Sequence, residues 1–366
     1  MNKIPNSMPY LKGKELEYVT EALNSGWISS QGAFVTKFEE EFARWNGSKF
    51  ASSVSNGTVA LHLALEALGI GEGDEVIVPA LTFIATANVV VYTGATPIFA
   101  DVDINTWNID PKSVEEKITN RTKAIIPVHL YGNPANMSEI MALSEKYGLY
   151  VIEDAAEAHG STFKGKKVGS IGHIGCFSFF GNKIISTGEG GMVVTDDPEI
   201  FEKLNLLKNH GMPKNRKYWH PVIGFNYRMT NLQAAVGCAQ LENADTFIKQ
   251  RKRIEDKYND LLSQEKNIVL QKTYPEAAKV NWLYSILVNT DSELVRNDLL
   301  SYLDSNEIEV RPTFNLINNM PCYSDYSSQI LKNSAKISQT GLSLPVFYEI
   351  TNEQIEYICN RVKEFF

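Results

Sequence analysis

Lys183 stands where an apolar run ends. Gly175-Cys176-Phe177-Ser178-Phe179-Phe180 leads through Gly181-Asn182 into the lysine, and a glycine-rich turn, Thr187-Gly188-Glu189-Gly190-Gly191, then returns the chain to a second apolar strand, Met192–Thr195. A lysine walled by Phe177, Phe179 and Phe180 is partly desolvated. Desolvation disfavours its ammonium form and frees the amine to attack a carbonyl. The ordinary alternative is a surface lysine after a core strand, and the rest of the chain decides against it. Upstream, Asp154 ends the apolar run Tyr150–Asp154, and Ser55-Asn56-Gly57-Thr58 forms a tight glycine turn before an apolar helix. The first N–H groups of such a helix are unpaired and, with the helix dipole, attract phosphate. Asn-Gly turns are common, so this turn by itself is a weak signal.

The elements that position these residues alternate along the chain. Ala51–Val54, Glu75–Pro79, Thr96–Asp101, Thr122–Leu130 and Tyr150–Asp154 read as strands, and Val59–Leu68, Phe83–Tyr92, Ser113–Ile118 and Asn136–Tyr147 as helices between them. Lys12–Asn24 and Val35–Trp45 read as amphipathic helices before them. Alternation of this kind predicts right-handed βαβ units on a mostly parallel sheet. Ligands of such sheets sit beyond the carboxyl ends of the strands. Thr58, Phe83, His129 and Asp154 all fall at or just past strand ends.

Beyond Glu242 the pattern changes. Asn231–Asp245 and Thr246–Leu262 read as one long helical stretch, followed by strands at Asn281–Val288 and Glu309–Pro312 and helices at Leu294–Asn306 and Asn352–Phe366. The expected division is a large α/β domain over 1–245 and a smaller α+β domain over 246–366.

The 366 residues are 43% hydrophobic and 21% charged, as in an ordinary globular protein with a large core. A net charge of −8 argues against a nucleic-acid partner. The basic run Lys249–Arg253 opens an acid-rich helical pattern and reads as a solvated face. Cys176, Cys238, Cys322 and Cys359 are far apart, fit no zinc spacing and form no dense disulfide framework, so neither a metal nor an oxidising compartment is expected. Met1–Leu11 lacks the apolar segment of a signal peptide, and the most apolar window, Val76–Ala95, is interrupted by Pro79, Asn88 and threonines. A cytoplasmic protein with no membrane partner is expected.

A lysine amine in an apolar pocket, an aspartate at a strand end and a phosphate-ready helix N-terminus are together what pyridoxal 5′-phosphate requires. Its aldehyde bonds a lysine, its ring nitrogen pairs with an acid, and its phosphate takes backbone donors. Phe83 is an aromatic placed to cover the ring face.

From Pro9 almost to Phe366 the chain resembles the DegT/DnrJ/EryC1/StrS family of nucleotide-sugar aminotransferases, which implies the α/β fold-type I aminotransferase architecture, a large domain with a mostly parallel seven-stranded sheet and a smaller C-terminal domain. The resemblance is carried by WISSQG (27–32), SNGTVALHLAL (55–65), GDEVIVPALTFIATANV (73–89), VHLYG (128–132), IEDAAEAHG (152–160), FSFFGNKIISTGEGGM (177–192) and GFNYRMTNLQAAVG (224–237). Within the family, SFFGNK…TGEGGM, YWHPVIGFNYRMTN (218–231) and WISSQG look most similar to the subgroup that makes GDP-perosamine from GDP-4-keto-6-deoxymannose with L-glutamate as donor.

The resemblance implies a role for each matching residue. Lys183 would bond the cofactor and act as catalyst, and Asp154 would pair with the ring nitrogen. Gly57, Thr58 and Ser178 would hold the phosphate, joined by Asn226 from the partner subunit of a homodimer with shared active sites. Phe83 would stack on the ring. Glu157, where many relatives have glutamine, would lie near the cofactor's O3′, a departure shared with the GDP-perosamine subgroup. Trp27, Ser29 and Arg228 are the candidates for the substrate side. His129 and His159 are expected to be satisfied buried histidines, and His210, Trp219 and His220 to be parts of a packed loop. Two alternatives stay open: the same transfer to a dTDP- or UDP-linked 4-keto-6-deoxy sugar, and a catalytically silent binding or regulatory protein. A sugar 3-dehydratase of the same type carries histidine in place of the lysine, which Lys183 argues against.

Overall fold

Val76, Ile77 and Val78 show how the main sheet is built. Successive side chains on a strand point to opposite faces, so Val76 and Val78 enter one hydrophobic core and Ile77 another. All five residues of Glu75–Pro79 are buried, as in a strand covered by helices on both faces. In the computed structural model, which describes residues 3–326 and 331–366, seven strands form this sheet. Their order is Phe50–Val54, Gly191–Thr195, Ile174–Ser178, Tyr150–Asp154, Thr122–Ile125, Glu75–Pro79, Thr96–Ala100. Pairing is parallel from Ile174–Ser178 to Thr96–Ala100. Gly191–Thr195 runs antiparallel to both its neighbours. The sheet is therefore the mostly parallel α/β sheet that the sequence predicts.

Caps written in the sequence start the helices. The Asn56 side chain accepts the Val59 N–H at 3.0 Å to begin Gly57–Ala67. Asp197, followed by Pro198, begins Pro198–Leu207. Thr230 and Gln233 form a reciprocal capping box at Asn231–Glu242.

A second sheet is antiparallel, in the order Ile268–Leu270, Tyr284–Val288, Gly341–Leu344, Arg311–Pro312. It shares a third core with helices Glu293–Ser305 and Asn352–Glu364. Helix Ala244–Leu262 reaches two cores: Ala244 and Phe247 join the core that holds Ile77, and Ile254, Tyr258 and Leu262 join the third. A small antiparallel sheet of Ala277–Ala278, Thr162–Phe163 and Lys166–Lys167 ties the later part of the chain back to the earlier one.

Several boundaries differ from the sequence reading. The strand expected over Thr122–Leu130 ends at Ile125, since Pro127 offers no N–H to a ladder, and a short turn follows at Leu130–Gly132. The stretch Asn231–Leu262 is two helices, broken at Asn243 (φ −103°, ψ 2°). The strand expected from Asn281 begins at Tyr284, because the Asn281 and Trp282 carbonyls turn aside to accept hydrogen bonds from Arg251. Arg251 is itself a correction: within the basic run it is buried, on the stripe Phe247, Arg251, Ile254, Tyr258 that faces the interior at helical spacing. Among the described residues, no helix is long and apolar enough to cross a membrane.

Gly132 packs directly against the later part of the chain. Its φ is 94°, and a Cβ there would lie 1.9 Å from the Val280 carbonyl oxygen. Gly132→Ala is expected to lower the unfolding free energy by about 2–3 kcal/mol, read as a lower urea midpoint at unchanged slope. An unchanged midpoint would show that this close approach relaxes freely.

Candidate active site

Lys183 follows the turn after strand Ile174–Ser178, with its side chain 10% exposed. Its Nζ lies 3.7 Å from Glu157 Oε1 and 3.6 Å from the centroid of the Trp282 ring. Burial pulls the ammonium pKa down, and the carboxylates of Glu157 and Asp154 pull it up. Burial pushes the Glu157 carboxyl up to about 7, opposed by the Lys183 charge and by the Tyr131 N–H, which donates to Glu157 Oε2 at 2.7 Å. Asp154 is raised for the same reason. Its Oδ2 accepts the Thr86 hydroxyl at 2.8 Å and its Oδ1 the Ala156 N–H at 3.2 Å.

The strand end that presents Asp154 is anchored by its neighbour. Glu153 is fully buried and accepts N–H donors from Gly169 (2.8 Å), Ile171 (2.7 Å) and Gly172 (2.6 Å). It also meets His129 Nε2 at 3.0 Å. His129 Nδ1 accepts the Ala135 N–H, so the ring proton sits on Nε2 and is donated to Glu153. A carboxylate with four donors tolerates burial. The His129 N–H and the Asp154 carbonyl close the bridge at 3.1 Å. His129 is the satisfied histidine that the sequence reading expects.

The residues fit pyridoxal phosphate. The N–H groups of Gly57 and Thr58 open helix Gly57–Ala67 and have no intrahelical carbonyl to meet. Gly57 packs so closely on Ser178 that a Cβ would lie 2.6 Å from the serine Cβ, which leaves backbone donors and a hydroxyl side by side. Asp154 is a buried acid whose ionisation burial opposes, and a protonated ring nitrogen would offset that cost. Phe83 is 56% exposed, free to cover a ring. It begins an aromatic row: Phe83 lies 6.0 Å from Phe314, Phe314 stacks on Tyr131 at 5.4 Å, and Tyr131 stacks on Trp282 at 6.3 Å.

Lys183, Glu157 and Asp154 thus share one site, and Gly57 and Ser178 share another contact. The remaining candidates lie in neighbouring loops. Trp27 and Ser29 are exposed, and their loop is clamped by Asn231, whose side chain donates to the Trp27 carbonyl and whose N–H donates to the Ser29 carbonyl, both at 2.7 Å. Arg228 donates to Asn226 Oδ1 through Nε (3.1 Å) and Nη2 (2.9 Å), and to Asn209 Oδ1 at 2.8 Å. This polar cluster runs beside the phosphate-ready turn, since the Tyr227 carbonyl accepts the Ser55 N–H at 2.8 Å.

Three features of the site differ from the sequence reading. The aromatic wall of Lys183 is Trp282. Phe177 and Phe179 point into the core against Phe42, at 5.0 and 5.4 Å, and Phe180 is half-exposed. His159 is buried but only weakly satisfied. Neither ring nitrogen makes a well-aligned hydrogen bond among the described residues, the Ser178 backbone being its weak polar contact; the ring lies against Phe177 and Phe179, and burial takes its pKa down to about 3. Trp219 and His220 are exposed, with the Arg216 guanidinium 3.9 Å from the Trp219 ring centroid. Trp282 and Tyr131 escaped the sequence reading, although VHLYG, which contains Tyr131, was a visible motif. Among the described residues, no cluster of three or more His, Cys, Asp or Glu could hold a metal ion.

Residues 9–363 match the DegT/DnrJ/EryC1/StrS aminotransferase family model. The chain is 49% identical over 367 residues to GDP-perosamine synthase of Escherichia coli O157:H7, covering 100% of this chain and 99% of that protein. It is 46% identical over 360 residues to GDP-perosamine synthase of Caulobacter vibrioides, covering 97% and 96%. The X-ray structure of an aminotransferase from Psychrobacter cryohalolentis superposes with a TM-score of 0.93 at 34% identity, covering 98% of this chain and 97% of that one.

Glu157 makes the cofactor-free protein sensitive to pH. Its folded-state pKa of about 7 lies above the unfolded value of roughly 4.3. Its contribution to stability is therefore complete below the unfolded value and is lost as pH rises through the folded one. Glu157→Gln should flatten the fall in unfolding free energy between about pH 4.5 and 7.5, measured by urea denaturation across that range. An unchanged pH slope would contradict the burial argument.

Proposed function

The chain belongs to the DegT/DnrJ/EryC1/StrS aminotransferase family, and from that premise we propose that it transfers the amino group of L-glutamate to C4 of GDP-4-keto-6-deoxymannose. The product would be GDP-perosamine, destined for a surface glycan such as O-antigen. The enzyme is a pyridoxal-phosphate-dependent nucleotide-sugar aminotransferase. One observation carries the catalytic part of the reading: the buried Lys183 amine stands 3.7 Å from Glu157 and feels the charge of Asp154. The choice of acceptor is supported by full-length identity to proteins named GDP-perosamine synthase.

When bound, pyridoxal phosphate supplies an aldehyde that can carry the amino group and a ring that withdraws electrons from the reacting carbon. In this proposal the chain's own residues do the rest. The Lys183 amine would hold the cofactor through its aldehyde and, when free, would carry the proton at the amino-bearing carbon. Asp154, held by Thr86 and the Ala156 N–H, keeps the ring nitrogen protonated. Gly57, Thr58 and Ser178 would hold the phosphate, Phe83 would cover the ring face, and Glu157 would lie near O3′. Trp27, Ser29 and Arg228 face the sugar nucleotide or the donor carboxylate, a guanidinium being suited to either anion.

The proposal includes a homodimer with shared active sites, to which Asn226 of each copy contributes across the interface. An exposed apolar arm favours it: Tyr218 is 87% and Ile223 92% exposed, with Trp219 and Val222 beside them. It also includes a division near residue 245, with the cofactor held by residues 1–245 and a smaller domain over 246–366 that lends Trp282.

An absorbance spectrum of the cofactor-loaded protein tests the reading. Glutamate is expected to convert the pyridoxal band to the pyridoxamine form, and GDP-4-keto-6-deoxymannose to restore it. Restoration by a dTDP- or UDP-linked sugar instead would correct the acceptor. A band indifferent to glutamate would leave the silent binding protein. Lys183→Ala is expected to bind cofactor yet lose turnover by roughly a thousandfold or more, measured as amino-sugar formed per enzyme, and near-normal turnover would overturn the assignment.

A further inference from the structure

Trp282 is held from several directions. Its N–H donates to the Tyr131 carbonyl at 3.1 Å, and its own carbonyl accepts Arg251 Nη1 at 2.8 Å. Its indole Nε1–H donates to the Asn182 carbonyl at 2.8 Å, one residue before the lysine. Its ring lies within 17° of parallel to that of Tyr131. The residue is buried, so the indole has little freedom to turn, and the face it offers is occupied by Lys183 Nζ, 3.6 Å from the ring centroid. Indole is the strongest of the aromatic side chains at attracting an ammonium to its face, and the attraction grows when the pair is out of water.

We propose that Trp282 is a positioning residue whose indole face seats the Lys183 amine whenever that amine is not bonded to the cofactor. The purpose of the seat rests on the aminotransferase reading above. A freed lysine has a flexible four-carbon stem, and a proton carrier must stay within reach of the carbon it serves. The ring keeps the released amine beside Glu157, and the Nε1 bond to Asn182 fixes the backbone from which the side chain departs. The titratable and charged groups around the amine are Glu157 and Asp154, which favour its charged form, and His159, whose own pKa feels the charges of both Lys183 and Arg251. Arg251 and Lys183 also line a common small cavity with Tyr10 and Tyr348. The seat therefore adds a neutral, oriented attraction to a site whose fixed charges are of both signs.

The test measures Lys183 itself. In the full-length protein freed of cofactor, the rate of reductive methylation at Lys183 is followed against pH by peptide mass spectrometry, in the parent, Trp282→Phe and Trp282→Leu. Loss of the ring face should lower the midpoint of the Leu variant, giving roughly tenfold faster labelling below the midpoint with the high-pH plateau unchanged. The Phe variant, which keeps a weaker face but loses the Nε1 bond, should fall between. A midpoint that stays or rises in the Leu variant, or a plateau that rises without a midpoint shift, would overturn the proposal. So would a Phe variant displaced as far as Leu, since the bond to Asn182 would then account for the effect. Failure of the aminotransferase reading would show separately, as a cofactor band that ignores glutamate in the parent protein.

Discussion

The cost of taking charged groups out of water governs this molecule. Lys183, Glu157 and Asp154 are buried together, and burial pushes each toward its neutral form. The amine is held back from losing its proton by two carboxyls, and Glu157 is held back from gaining one by the amine and a backbone N–H. Glu157, pushed up to about 7, can therefore exchange a proton near neutral pH beside an amine whose pKa burial has lowered. A solvated lysine at the same point would remain an ammonium ion and a poor nucleophile.

Holding those groups in place requires a rigid frame on each side. On the sheet side, Glu153 and His129 form a fully satisfied buried pair one residue before Asp154, and parallel pairing sets the strand ends level. On the other side the frame comes from later in the chain. Arg251, on the interior stripe of helix Ala244–Leu262, takes the Asn281 and Trp282 carbonyls and so stops the following strand from starting early. That arrangement turns the Trp282 ring toward Lys183. The chain pairs Trp282 with Tyr131 as well, whose left-handed backbone (φ 56°) directs its N–H to Glu157. One backbone turn thus serves both the acid and the aromatic wall.

What could be read from the sequence follows from how local each signal is. Glu75–Pro79 and Tyr150–Asp154 are legible to the residue, since an unbroken apolar run bounded by turn residues specifies a buried strand without help from elsewhere. Lys183 and Asp154 were legible because glycine turns and strand ends mark them. Trp282 was not. It stands in an apolar run, and nothing local reveals that its carbonyl is claimed by an arginine on another helix. Arg251 was misread because its basic neighbours are solvated, and its burial emerges only from the phase of the helix against Phe247, Ile254 and Tyr258. The weakly satisfied ring of His159 was equally invisible, for its surroundings, Phe177 and Phe179, come from strand Ile174–Ser178 and the residue just past it.

The most direct measurement is to identify the residue that bonds the cofactor. Protein loaded with pyridoxal phosphate would be reduced with borohydride, digested and mapped by mass spectrometry. The account expects the pyridoxyl group on the peptide containing Lys183, at near-stoichiometric yield. A label on another lysine, or none at all, would contradict it.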